Sequence, residues 1–281
     1  MVRITRSLSW VAAASAALGT VPQLHAQTAM MQPAMLSVTC EWIKPGMGPA
    51  HDKHEEAWAR ASEAVKGFAP GFALQSMTGP AETCWLTRVS SYEHLGKNNV
   101  LYNADPGYAA ALPSLLGEDS KYVSDVRSFI AVLRTDLSEG EMPTLQSRRF
   151  TNWSEWRVRP GNGPAFEAGV KAYVAASKRA GVKPEFRLFQ VMHGAPSDTY
   201  WLFSSQSSMA GFDVEMANDP KIAAVFTPED GKIFDNFFAK AIVSMNSNLW
   251  SYNSAQSSLT AEQRASDPYW KLKAKAAPKK P

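Results

Sequence analysis

The segment Lys44-Pro-Gly-Met-Gly-Pro-Ala50 returns as Arg159-Pro-Gly-Asn-Gly-Pro-Ala165, displaced by 115 residues. Gln75-Ser-Met-Thr-Gly79 returns at the same displacement as Gln190-Val-Met-His-Gly194, and Thr83-Cys-Trp-Leu86 matches Thr199-Tyr-Trp-Leu202 one residue later. Asp105-Pro106 followed by Ala109-Ala110 matches Asp219-Pro220 followed by Ala223-Ala224. Ordered matches over about a hundred residues indicate a duplicated unit. Two copies make a pair of related domains rather than a solenoid.

Each copy reads alike. A first strand, around Leu36 to Lys44 and Thr151 to Arg159, ends at a Pro-Gly turn, where proline lacks the ladder donor and glycine permits the bend. A helix follows, and in the second copy Phe166, Val170, Tyr173, Val174 and Ser177 recur at intervals of three and four, which gives one face to bury. Two short strands come next, Phe72 to Thr78 and Thr83 to Ser90, then Phe186 to His193 and Thr199 to Ser205 in the second copy. A helical stretch follows in which Asp105 and Asp219 read as N-caps, with Pro106 and Pro220 in the first turn. A last strand is placed at Ser128 to Thr135 and at Ala241 to Tyr252.

The order β-α-β-β-α-β is the ferredoxin-like arrangement, an α+β fold with helices on one face of an antiparallel sheet. The strands are apolar on both faces, as with Tyr200 and Leu202 against Trp201 and Phe203, so the second sheet face needs a cover. The tandem copy can supply it. With 45% hydrophobic residues among 281, the chain has enough apolar surface for two such cores.

At the N-terminus, Arg3 and Arg6 precede an Ala-rich apolar run from Leu8 to Val21, then Pro22 and Ala26. This is the pattern of a secretory signal peptide, cut most simply after Ala26 and too short for a membrane span. The expected organisation is signal peptide 1–26, linker 27–35, first repeat 36–140, linker 141–150, second repeat 151–256 and a Lys/Ala/Pro-rich tail 257–281. Losing Arg3 and Arg6 takes the net charge from +3 to +1, and the five lysines after Asp267 set against that residue account for +4. The remainder therefore carries −3, which argues against nucleic acid as a partner. In an oxidising compartment Cys40 and Cys84, on the neighbouring first and third strands, are a candidate disulfide; two buried thiols are the alternative.

On the strand-Pro-Gly-helix openings at Pro45 and Pro160 and the Asp-Pro steps at Asp105 and Asp219, the chain resembles the dimeric α/β-barrel superfamily. It is similar in particular to tandem forms of NIPSNAP and antibiotic-biosynthesis-monooxygenase-like domains, from about Leu36 to Tyr252. The resemblance implies two ferredoxin-like repeats packed sheet to sheet as an intramolecular barrel. Members include cofactor-free oxygenases, isomerase-like enzymes, haem-handling proteins and domains without known activity, so the resemblance implies a shape rather than a reaction. The expectation is an exported protein, periplasmic or secreted, that binds a small, mostly apolar molecule and has no membrane span after signal cleavage. Cofactor-independent oxidation or isomerisation is the compatible chemistry, with no cofactor expected. A non-catalytic binding or structural module and a haem handler are the rival readings, and the superfamily also admits a homodimer.

The repeats act as an internal control: a position that is apolar in one copy and ionisable in the other is not required by the fold. His51 stands where the second copy has Phe166, Glu55 where it has Val170, and His54 where it has Gly169. His51 and Glu55 are four apart on one helix face, with Trp58 a turn further on. One reading is a pocket with His51 or His54 as base and Glu55 to orient it. The other is a solvated first turn, which Asp52, Glu55 and Glu56 suit through the helix dipole. His51-x-x-His54 offers two metal ligands without an identifiable third, so no metal centre is expected.

Further candidates for ligand binding are Gln75 and Gln190, matched mid-strand amides that are either hydrogen-bond hubs or pocket walls, and His193, a base without a local acid or an edge cap. Arg88, opposite Ser204, either binds an anion inside the barrel or snorkels outward. Trp85 and Trp201 read as matched core residues, while Trp42 and Trp156 stand near strand ends where they could line a pocket. No phosphate loop, dinucleotide fingerprint or nucleophile elbow occurs.

Overall fold

The computed structural model describes residues 35–272; the expected signal peptide and the end of the lysine tail lie outside them. The first repeat comprises β1 (Met35–Ile43), α1 (Gly48–Ala64), β2 (Gly71–Ser76), β3 (Glu82–Val89), α2 (Tyr92–Ala104), α3 (Pro106–Tyr122) and β4 (Val123–Leu133). The second comprises β5 (Phe150–Val158), α4 (Gly163–Arg179), β6 (Arg187–His193), β7 (Thr199–Gln206), α5 (Ala210–Ala223), α6 (Pro228–Asn236) and β8 (Ile242–Ser258), followed by α7 (Ala261–Ala265). The Pro-Gly turns work as expected: Gly46 and Gly161 hold φ of +80° and +81°, a left-handed backbone that glycine adopts without a Cβ penalty. Each turn leads into a helix with proline in its first turn.

The strands form one closed antiparallel barrel in the order β1-β3-β2-β8-β5-β7-β6-β4. Each repeat contributes the ferredoxin-like order, fourth strand beside first, then third, then second. The repeats meet at the β2·β8 and β4·β6 ladders, so the two sheets face each other and are also hydrogen-bonded at their rims. Among the described residues no strand edge of the barrel is left open. Alternate residues point inward, and the interior is filled by Val38 and Cys40 of β1, Phe72 and Leu74 of β2, Trp153 of β5, Trp201 and Phe203 of β7, and Trp250 and Tyr252 of β8. The helices cover the outer face, where Phe166 of α4, Tyr200, Phe237 and Val158 form a second core.

Cys40 and Cys84 are direct cross-strand partners and are bridged, with Cα atoms 4.0 Å apart. The counterpart of Cys40 by the 115-residue displacement, Glu155, pairs with Trp201. Trp201 is thus equivalent to Cys84 rather than to Trp85. The sequence match of the two tryptophans is out of register by one residue, and in a strand one residue exchanges the faces. Trp201 is 1% exposed inside the barrel, while Trp85 is half-buried on the helix side, its ring 6.2 Å from that of His51.

Three other expectations change. Asp105 caps α3 through the backbone N–H of Tyr108, but Asp219 lies inside α5, which runs on through Pro220. There the proline stands in the last turn and removes one backbone donor; the helix that follows is instead started by a Thr227–Asp230 capping box. The last strands are longer than expected, with β4 starting at Val123 and β8 running to Ser258. The third change concerns the stretch read as a Lys/Ala/Pro-rich tail, 257–281, which is folded as far as residue 272. Trp270 is fully buried against Phe72 and Tyr252 and donates its indole N–H to the Leu145 carbonyl. Arg264 pairs with Glu63 of α1, and Asp267 with Arg149. The segment that follows β8 is held to the barrel because Trp270, with Tyr269 beside it, packs into the core cluster.

Two stability measurements follow from this packing. Replacing Cys40 and Cys84 by serine should lower the unfolding free energy by about 4 kcal/mol, the chain-entropy value for a loop of this length, with a matching fall in the urea midpoint; an unchanged midpoint contradicts a bridge. Trp270→Ala should cost about 3–5 kcal/mol, and a loss under 1 kcal/mol would mean the chain end is not part of the core.

Candidate functional site

The buried stripe of α1 is His51, Glu55 and Ala59. In α4 the first two of these positions hold Phe166 and Val170, so the same inward face is ionisable in one repeat and apolar in the other. His51 is fully buried and Glu55 is 4% exposed, which rules out the solvated first turn. β1 brings Glu41 to this face, where the displaced position in β5 is Trp156. The His51 Nε2 atom lies 3.0 Å from Glu41 Oε2 and 4.0 Å from Glu55 Oε1. From α3, Asp119 comes within 2.6 Å of His54 Nε2 and accepts from the Trp58 indole at 3.2 Å. His51 Nδ1 and Glu55 Oε1 have no hydrogen-bond partner.

Burial pushes the Glu55 carboxyl from its ordinary 4.5 up to about 9, and the nearby carboxylates of Glu41, Asp119 and Asp52 add to the effect. Glu55 therefore holds a proton at neutral pH. The acidic partners that the His51-x-x-His54 spacing did not show are Glu41 of β1, 10 residues before His51, and Asp119 of α3, 65 residues beyond His54, brought in by strand and helix packing.

Gln75 is a hub: it donates to Asp52 Oδ1 at 2.6 Å, where Gln256 also donates at 2.8 Å. Its counterpart Gln190 stands half-buried on β6 opposite Tyr200. Arg88 points inward, with its guanidinium 5.7 Å from the Phe72 ring; burial, then the Arg148 charge, lowers its pKa to about 9. His193 is exposed at the end of β6, 3.0 Å from the Tyr92 hydroxyl, and belongs to neither buried site. Trp42 stacks under Arg127 at 4.1 Å, whereas Trp156 lines a cavity.

That cavity was not foreseen. The barrel interior is filled, yet a cleft of about 870 Å³ opens between the outer face of the second half-sheet and helices α4, α5 and α6. Trp156, Val170, Tyr173, Leu202, Ile222 and Phe237 make its apolar walls. The outward positions Asn152, Ser154, Ser204 and Gln206 of β5 and β7 give one wall a polar strip. Glu215 of α5 faces this strip, accepting from the Ser204 hydroxyl and from Gln206 Nε2, the latter at 2.6 Å. Gly169 admits Phe237 against α4, since a Cβ there would lie 2.1 Å from the ring. His51, His54 and Glu55 do not line the cleft.

The protonated Glu55 sets a pH dependence. A carboxyl whose folded pKa lies above its unfolded one binds more protons when folded, so stability falls as pH rises from about 4.5 towards 9. In chelator-containing buffer the melting temperature should fall across this range, and Glu55→Gln should flatten the slope and raise the melting temperature at pH 8.5. Parallel pH profiles for the two proteins would count against a raised Glu55 pKa.

No protein-family model and no curated relative matches the sequence. Among solved structures, the chain is similar to a "Putative monooxygenase" from Fusobacterium nucleatum, with 10% identity, a TM-score of 0.51, and 78% of this chain and 91% of that chain covered. It is similar also to an anthrone oxidase-like protein, with 13% identity, a TM-score of 0.51, and 82% and 97% covered. A chlorite dismutase from Candidatus Nitrospira defluvii aligns at 8% identity and a TM-score of 0.46, covering 80% and 93%. At such identities, likeness speaks for shape. The chain has the dimeric α/β-barrel fold, with both ferredoxin-like halves supplied by one polypeptide.

Proposed function

We propose that this is an exported protein whose second repeat binds a small, mostly apolar molecule. The cleft of about 870 Å³ carries the reading: it has the size of a small-molecule site and combines apolar walls with a short polar strip that would fix orientation. Val214, Met216 and Phe238, which line it, are exposed, as an entrance for an apolar guest requires. Export to the periplasm or beyond is supported by the basic and apolar N-terminal pattern ending at Ala26 and by the bridged cysteines.

Turnover of the bound molecule is the second reading, and Glu215 favours it. A carboxylate held by Ser204 and Gln206 beside an apolar cavity is placed to take a proton from a bound substrate, the first step of a cofactor-independent oxidation or isomerisation. This moves the expected base from the histidines of the first repeat to the second. Haem handling fits less well, because among the described residues no histidine lines the cleft.

A thermal-shift screen of apolar and aromatic small molecules on the mature protein tests the reading. A ligand at a hundred times its Kd should stabilise the native state by about 2.7 kcal/mol, and Leu202→Trp, which projects a larger ring into the cleft, should abolish the shift while the fold, read by circular dichroism, persists. Hits unaffected by Leu202→Trp would place the site elsewhere, and an empty screen counts against binding. For a ligand that is turned over, Glu215→Gln should remove turnover and retain the thermal shift.

A further inference from the structure

We propose that the first repeat binds a divalent first-row transition-metal ion between Glu41, His51 and Glu55, with His54 and Asp119 as adjoining donors that share Glu55. This centre is separate from the cleft and does not depend on what the cleft binds.

The internal control makes the cluster conspicuous. The second repeat builds the same strand and helix with Trp156, Phe166, Gly169 and Val170 where the first has Glu41, His51, His54 and Glu55. An apolar filling therefore suffices for the fold, and the ionisable set is an addition that burial penalises unless something compensates it. The compensation is incomplete as the residues stand. Among the described residues no lysine or arginine pairs with Glu41, Glu55 or Asp119; their charged neighbours within 4 Å are His51 and His54. Glu55 Oε1, buried and without a hydrogen-bond partner, lies beside His51 Nε2.

The geometry suits an ion. One donor atom from each of Glu41, His51 and Glu55 falls within 4.8 Å of the others, and the same holds for His54, Glu55 and Asp119. Nitrogen and oxygen ligands at roughly 2.0–2.2 Å from a common centre stand about 3–4 Å apart, as the 3.0 and 4.0 Å separations at His51 Nε2 do. The surroundings resemble an outer ligand shell. The Trp58 indole fixes Asp119, and His51 Nδ1 turns towards Asp52 Oδ1 at 3.9 Å, an oxygen that Gln75 and Gln256 already hold. Two imidazoles among carboxylates select zinc, manganese, iron(II) or cobalt over calcium and magnesium, which prefer oxygen alone. The bridged cysteines offer no competing thiolate. His54 and Asp119, with side chains 9% and 20% exposed at the α1–α3 seam, give the ion its way in.

The test is a titration of the untagged mature protein, stripped by chelator, with Co²⁺ followed by visible absorption, and with Zn²⁺ as competitor. The expected result is saturable binding with the d–d bands of mixed nitrogen and oxygen ligation, displaced by Zn²⁺. Glu55→Gln, which keeps the shape, should weaken binding at least tenfold. His51→Phe, which installs the second repeat's residue, should abolish it while leaving the circular dichroism spectrum intact. If His51→Phe fails to fold, Glu55→Gln still decides. Absence of saturable binding, or binding unchanged in Glu55→Gln, overturns the proposal and leaves a proton-sharing histidine–carboxylate network in its place.

Discussion

Closure of the barrel at two seams, β2 with β8 and β4 with β6, is the constraint from which the rest of the molecule follows. A four-stranded ferredoxin-like sheet has two free edges and one uncovered face. Joining two such sheets edge to edge removes the edges, and curling them into a ring buries the inner faces together. Every strand then has both faces in demand, one for the ring interior and one for the helices. This explains why the middle of β7, Tyr200 to Phe203, is apolar on both faces, and why Trp153, Trp201, Phe203 and Trp250 pack together in the centre.

With the interior occupied, function is left to the layer between sheet and helices, and the duplication means that layer exists twice. The two copies have diverged in opposite ways. In the second, a large cleft with apolar walls opens between the sheet and helices α4, α5 and α6. In the first, the same layer buries Glu41, His51 and Glu55 where the second has Trp156, Phe166 and Val170. A scaffold stabilised by a shared ring tolerates this, because the polar positions of one half do not weaken the seams or the aromatic centre.

The duplication and the element order were legible because they rest on local features: Pro-Gly turns that need a left-handed backbone, and alternating or three-to-four spacing of apolar residues. Reading His51 and Glu55 against Phe166 and Val170 was equally direct, since helix periodicity puts them on one buried face. Where the text misled, the cause was physical. The two Trp-Leu pairs, alike in sequence, stand one residue out of register on the third strand of each repeat, enough to exchange inside and outside. Asp219-Pro220 looked like a helix start, but the helix had begun earlier and simply carried the proline in its final turn. Trp270, in a lysine-rich stretch, gave no periodic sign of burial.

Although the helical stretch before each last strand folds as two helices, α2–α3 and α5–α6, the sequence by itself determined the repeat, its succession of strands, the antiparallel sheets and the ionisable character of one helix face. These depend on contacts among near neighbours, which spacing records. Only the tertiary structure decided that Glu41 and Asp119 join the histidines, that Cys40 meets Cys84 in register, that Trp270 packs into the barrel core, and that the open volume lies outside the ring in the second half. These are set by strand register and by the space the helices leave, as where Asp119 meets His54 across 65 residues and Cys40 meets Cys84 across 44, and no local pattern of residues encodes such meetings.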